Sequence, residues 1–290
     1  MKKIAILGCE NSHADAFLGF IRDKAEFADV EVVGVYSDEP AAAERLHREY
    51  GVPVLAHFAD AVGEIDGLVI TARHGDNHPR YAAPYVESGI PLFIDKPITI
   101  SEADAVSFMT ALRDHGVRVS GGSSLKQDVY VQRLKAEALV EEQGRTVGGF
   151  VRAPLQSESP YGGFYFYAQH LVEMVCEIFG RYPRSVTARR NGGQIHVLFH
   201  YESYDCVGLF TDGLYVYYAA RMAERGVSGY EIPSTSAWFY EEFKEFYALL
   251  DGAAPSISYE DMISPVFIMN AIERSLISGG EETVGVPTLP

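Results

Sequence analysis

Three short stretches bring together residue types that could do chemistry. The first is Gly8-Cys9-Glu10-Asn11-Ser12-His13-Ala14, directly after the apolar run Lys3 to Leu7. A dinucleotide fold offers G-x-G-x-x-G here: one glycine for the tight turn, one for approach of backbone to a pyrophosphate, one for helix packing. Only Gly8 survives, with Glu10 in the second glycine slot and His13 in the third. A carboxylate beside a pyrophosphate is unfavourable unless its side chain turns away. A plain strand-to-helix turn capped by Asn11 or Ser12 fits the same residues. The second stretch is Tyr36-Ser37-Asp38-Glu39, closing a Val-rich run. An acidic residue there can bond an adenosine ribose, and Asp38 serves equally as a helix N-cap before Pro40. Ser37 tolerates either dinucleotide, and with no basic residue beside it the reading leans towards NAD over NADP. The third is Asp95-Lys96-Pro97. A lysine at the carboxyl end of a parallel strand points at the crevice, and burial lowers its pKa. Taken alone, such a lysine is more often a solvated surface residue.

These stretches need a frame that brings strand ends together. Over the first 120 residues short apolar runs alternate with helical periodicity. Strands are expected at Lys3 to Leu7, Val30 to Tyr36, Val52 to Leu55, Gly67 to Ala72, Pro91 to Ile94 and Val117 to Ser120. Helices lie between them, one opened by Pro40 and closed by Gly51, another opened by Ser101-Glu102-Ala103-Asp104. That alternation predicts an α/β, Rossmann-like, doubly wound parallel sheet over residues 1–120, with its ligand site at the carboxyl ends of the strands. Residues 121–290 read as an α+β domain with an open, mainly antiparallel sheet. Helices are expected at Val129 to Glu142 and Gln169 to Phe179, then strands at Ser185 to Arg190, Gln194 to Tyr201, Cys206 to Phe210 and Leu214 to Ala220. Asn191-Gly192-Gly193 and Asp212-Gly213 suggest hairpin turns, and two helices finish the chain, Trp238 to Leu250 and Tyr259 to Ser278.

Composition narrows the class. The 290 residues carry 24 Lys and Arg against 40 Asp and Glu, a formal net charge of −16. An acidic surface of this kind argues against nucleic acid or an anionic bilayer as partner. Three scattered cysteines form neither a disulfide framework nor a zinc site, and a reducing cytoplasm is the simple expectation. No apolar run reaches the length of a membrane span. His74 to His78 offers two imidazoles and Asp76, but no well-placed third ligand, so no metal is expected.

Taken together, the chain resembles the Gfo/Idh/MocA family of nicotinamide-dependent oxidoreductases, named for glucose–fructose oxidoreductase and inositol dehydrogenase. Asp95-Lys96-Pro97 stands for that family's Glu-Lys-Pro, and Gly8, His13 and Ala14 match its G-x-G-x-x-H-A loop without Glu10. Thr71 and His78 look like the ends of its Thr-Pro-x-x-x-His, with Ala72 for Pro and about two extra residues. Gly162-Gly163 followed by Phe166-Tyr167-Ala168-Gln169-His170 and Glu173 resembles its Gly-rich turn and D-x-G-x-H-x-x-D.

What the resemblance implies is hydride transfer between NAD or NADP and a secondary alcohol of a sugar, polyol or related cyclic compound. Lys96 would bond the reacting hydroxyl and help place the nicotinamide, and His170 would take the hydroxyl proton. Gly8, Glu10, Asn11, Ser12, His13, Ser37, Asp38, Thr71, His78, Asp95 and Lys96 are the candidate cofactor residues; Lys126, Tyr165, Tyr167 and Glu173 are the candidate substrate residues. Without the resemblance, His170 reads as an ordinary helix residue beside Leu171 and Val172. Phe166 replaces an Asp that shares the proton-transfer role, so a non-catalytic ligand-binding relative, or a lyase or hydrolase on the same fold, stays open. The family's habit of pairing through the open sheet predicts a homodimer or homotetramer.

Overall fold

A computed structural model describes residues 1–233 and 237–290. Its first sheet is built from β1 (Lys2–Leu7), β2 (Val30–Tyr36), β3 (Gly67–Ile70), β4 (Leu92–Asp95) and β5 (Val119–Gly122). All pairings are parallel, in the order β2-β1-β3-β4-β5. Every residue of β3, β4 and β5 is buried, as expected of strands covered on both faces. The helices between them are α1 (Ser12–Asp23), α2 (Pro40–Tyr50), α3 (Asn77–Ala82) and α4 (Glu102–Asp114). Ser101 caps α4 by accepting from the Asp104 amide, as its sequence predicts. Residues 52–55 form no strand. Val54 makes a single bridge to Val35, and Pro53 has no amide N–H to extend a ladder. The strand order reverses between β1 and β3, which opens a crevice at the carboxyl ends of the sheet.

The rest of the chain supplies α5 (Val129–Glu137), β6 (Thr146–Leu155), α6 (Tyr165–Phe179), β7 (Ser185–Asn191), β8 (Gln194–His200), β9 (Asp205–Asp212), β10 (Tyr217–Ala223), β11 (Gly226–Ile232), α7 (Ala237–Leu250), α8 (Tyr259–Ser278) and β12 (Glu281–Thr283). The second sheet runs β11-β10-β6-β9-β8-β7-β12, and only β6 and β9 pair in parallel. Its inner face packs on α6 and α8, while Val147, Val207, Met222 and Val227 stand exposed.

Three expectations are corrected. Asp212-Gly213 makes no hairpin, because β9 and β10 lie on opposite sides of β6 and the chain crosses over between them. The hairpin is instead β10–β11, through Glu224-Arg225. Helix α5 stops at Glu137 rather than Glu142, since residues 138–142 bury no apolar face. Helix α6 starts at Tyr165, four residues early, because Gly162 and Gly163 take positive φ and turn the chain into it.

The last two long helices reach back to the first sheet. Phe243 and Phe246 of α7 share a core with Phe17, Phe27 and Phe93, and α8 lies against α4. Among the described residues no helix is long and apolar enough to cross a membrane.

Candidate active site

The site begins where β1 ends. Gly8 has φ +72°, and a Cβ there would meet Ala72 backbone at 2.4 Å, so glycine alone lets the loop pass the exit of β3. Neither Asn11 nor Ser12 caps α1 with its side chain. The Asn11 amide donates to Asp95 at 2.7 Å instead, and the Ser12 hydroxyl donates to Asn11 Oδ1. An N-terminus left without a side-chain cap, at the crevice of a parallel sheet, fits an anionic phosphate. Glu10 does not oppose that, because its carboxylate turns aside. It accepts from the Ser37 hydroxyl at 2.6 Å and from the Arg73 amide at 3.0 Å. Glu10→Gly is therefore expected to destabilise the protein by about 1–3 kcal/mol, read by denaturant unfolding, and not to tighten dinucleotide binding.

Asp95 is wholly buried and fully engaged: it accepts from Asn11, from the Lys96 amide at 2.6 Å, and meets His13 Nδ1. Burial alone would raise its pKa, but His13, Lys96 and these hydrogen bonds outweigh burial and hold it below the usual carboxylate range. Lys96 follows across a cis peptide bond to Pro97. Its ammonium sits 4.6 Å from the Phe166 ring centroid and 5.8 Å from that of Tyr167, with no ion pair among the described residues. Burial pulls its pKa below the ordinary lysine value, against the pull of Asp95 and Glu242.

From the opposite wall, α6 presents His170. Its Nδ1 lies 2.7 Å from Ser123 Oγ, and the ring meets Tyr167 and Tyr217 edge-on. Burial first, then the Lys96 and His13 charges, push its pKa well below the ordinary histidine value. Lys96 and His170 thus line one cleft of about 530 Å³, together with Asn11, Ser12, His13 and Tyr167. The cleft wall carries cations from Lys96 and Arg73, and no carboxylate among the described residues. A neutral imidazole and an unpaired ammonium on one cavity can accept a proton and bind an oxygen that gains negative charge.

Residues 2–123 match the family GFO_IDH_MocA, described as an oxidoreductase family with an NAD-binding Rossmann fold. Over those residues the chain matches the Gfo/Idh/MocA oxidoreductases. It is similar to a myo-inositol dehydrogenase from Corynebacterium glutamicum ATCC 13032, with TM-score 0.84, 18% identity, and 98% of this chain and 99% of that one covered. It is equally similar to scyllo-inositol dehydrogenase from Lactobacillus casei, solved with NAD(H) and scyllo-inositol, at TM-score 0.84 and 16% identity, covering 98% and 99%. These identities speak for the fold alone. A protein of Amycolatopsis mediterranei (strain S699), named as a UDP-kanosamine synthase oxidoreductase subunit, is 24% identical over 188 residues. That stretch is 61% of this chain and about half of the relative, 52% of its length.

Several residues do not stand where the sequence puts them. Thr71 donates to Gly8 O at 3.0 Å, and His78, without exposed surface, lies between the carbonyls of Ala72 (2.9 Å) and Ile98 (3.1 Å). Both pin loops together and neither lines the cleft. Asp38 neither caps α2, whose N-cap is Glu39, nor stands free for a ribose, because it accepts from Tyr36 and pairs with Arg80. Arg80 is the basic residue that the local sequence around Ser37 lacked.

Among the four substrate candidates only Tyr167 lines the cleft. Lys126 is buried with its ammonium donating to Gly121 O; Glu173 pairs with Arg181 at 3.2 Å; Tyr165 donates to Glu273 at 2.7 Å on the other side of α6. Tyr161 and Phe166, from the aromatic run Tyr161 to Tyr167 read as able to line a sugar site, also line the cleft; Arg73, Trp238 and Phe239 line it and were missed. Arg73 follows β3, so the strand-end rule could have found it. Trp238 and Phe239 come from α7, and no local pattern joins them to the first sheet.

Proposed function

We propose that this protein oxidises a secondary alcohol of a sugar, polyol or related ring, or reduces the matching carbonyl, with NAD or NADP. The observation that carries this is the convergence of Lys96 and His170 on one cleft beside the uncapped start of α1. The inositol dehydrogenases that share the fold favour a cyclic polyol-like substrate. When bound, a nicotinamide supplies the hydride acceptor. Ser12 and the first amides of α1 would hold its phosphates, with Asn11 and His13 braced on Asp95. The Lys96 ammonium would bond the carbinol oxygen and stabilise its developing charge. His170 would accept the hydroxyl proton at Nε2, with Nδ1–H donated to Ser123. Tyr167 would face the substrate. The Glu10 carboxylate, held against Ser37, disfavours a 2′-phosphate, whereas Arg80 gives one a cation to approach. The first domain would thus serve the cofactor, and the part from residue 121 the substrate. The exposed apolar positions of the second sheet would carry a homodimer or homotetramer contact.

Fluorescence titration with NADH and with NADPH tests this reading, followed by a panel of cyclic polyols and sugars with the cofactor that binds. Micromolar binding and substrate-dependent change in the nicotinamide absorbance are expected. Absence of binding by either nucleotide at millimolar concentration would overturn it in favour of a ligand-binding protein.

A further inference from the structure

Behind the cleft, helix α7 carries Glu242, which has no exposed surface. Neither of its carboxyl oxygens has a hydrogen-bond partner among the described residues. A buried polar group left this way is unfavourable, and more so if charged, so it calls for an explanation. The helix is fixed at its start, where Trp238 Nε1 donates to Asp128 at 2.8 Å, and Phe243 and Phe246 lock it to the first sheet. Glu242 is thus held in place by its helix rather than by partners of its own.

The charges around it are unevenly committed. Asp95 is taken up by Asn11, His13 and the Lys96 amide, and Glu173 by Arg181 and Gln169. Lys126 donates to Gly121 O and has no ion pair among the described residues; neither has Lys96. Glu242 interacts electrostatically with both lysines, and also with Asp95, Glu173 and Glu245. The remaining groups near Lys96 are Arg73, His13 and His170.

We propose that Glu242 is a positioning residue that, from behind the cleft, holds the proton on Lys96 as pH rises. Lys96 must remain an ammonium to bond the substrate oxygen, yet its burial favours the neutral amine. Asp95 is already shared among three donors. Glu242 is the carboxyl group left to answer a change in charge at Lys96. Neither oxygen of Glu242 meets a cation or a donor among the described residues, so a charge there would be uncompensated and Glu242 holds its proton at rest; burial, with Asp95 nearby, raises its pKa well above the usual carboxyl value. As pH rises, loss of that proton leaves a carboxylate that retains the proton on Lys96. The two sites therefore titrate as a pair.

The test measures Lys96 itself and needs no substrate. Reductive methylation by formaldehyde is followed by peptide mass spectrometry across the alkaline range, with exposed Lys24 and Lys244 as internal references. In Glu242→Gln, Lys96 should lose its proton at lower pH and react about three- to tenfold faster where the wild-type residue is still mostly ammonium. Glu242→Met, apolar and of similar volume, should do the same and decides the matter should the Gln variant fail to fold. Glu242→Asp should return the curve towards wild type. Lys96 curves that superimpose on wild type in the folded Gln or Met variant would overturn the proposal. The bearing on turnover rests on the oxidoreductase reading, but the titration does not, so the two can fail separately.

Discussion

Replacement of Lys96 by alanine is expected to lower turnover by about 10²- to 10⁴-fold, with only a small change in stability. The two effects separate because of how the lysine is held. It is 4% exposed, yet its ammonium has no ion pair to break among the described residues. Its fold-side contacts are the Phe166 and Tyr167 rings, a cation–π interaction of about 0.5–2 kcal/mol. Relief of a buried charge offsets that loss, since burial disfavours the ammonium. In the reaction the same group bonds an oxygen whose charge grows along the path, inside a cleft with no carboxylate to quench it. The measurement is kcat and KM on the substrate found in the panel, beside urea unfolding of both proteins. A fall in kcat/KM carried mainly by kcat, with an unfolding midpoint close to wild type, is the expected pair. Unchanged kcat would remove Lys96 from the chemistry and with it the proposed function.

The fold was legible because its signals are local and dense. Continuous apolar runs such as Leu92 to Ile94 announce strands covered on both faces, and Ser101 announces the helix it caps. The sequence reading failed where structure depends on distant partners. β11 buries only Ile232 and carries Gly226 and Gly229, so its strand character comes from β10 rather than from its own residues. The Asp212-Gly213 turn looks like a hairpin until β6 takes the place between its arms.

The site divides in the same way. Asp95, Lys96 and Gly8 stand at strand ends, where a general rule marks them. Lys126, Tyr165 and Glu173 had suitable chemistry, but their directions depend on Gly121, Glu273 and Arg181, which no motif ties to them. Helix periodicity explains Tyr165 and Tyr167 after the fact. Two residues apart on α6, they face about 200° from one another, so one reaches Glu273 and the other the cleft.

Loss of the His170 imidazole should be nearly as severe as loss of Lys96, and its pH signature is distinct. Because its pKa is pushed well below the ordinary histidine value, the ring is neutral throughout the neutral range and ready to accept a proton. His170→Ala should reduce kcat for alcohol oxidation by about 10²- to 10⁴-fold. The wild-type acid limb of kcat/KM should lie below the ordinary histidine range and should be absent from the variant. Stability gives a second readout with a fixed sign. The unfolded chain protonates this histidine at its ordinary pKa, whereas the folded chain does so only at lower pH. The unfolded state therefore binds more protons between those limits, and stability falls as pH drops through that window. His170→Ala removes this contribution, so the variant should lose less stability than wild type between neutral and mildly acid pH, whatever the cavity costs at neutral pH. Denaturant unfolding at both pH values measures the difference. Parallel losses in the two proteins would mean that the imidazole is not held neutral by its surroundings, and the proton would then need another acceptor.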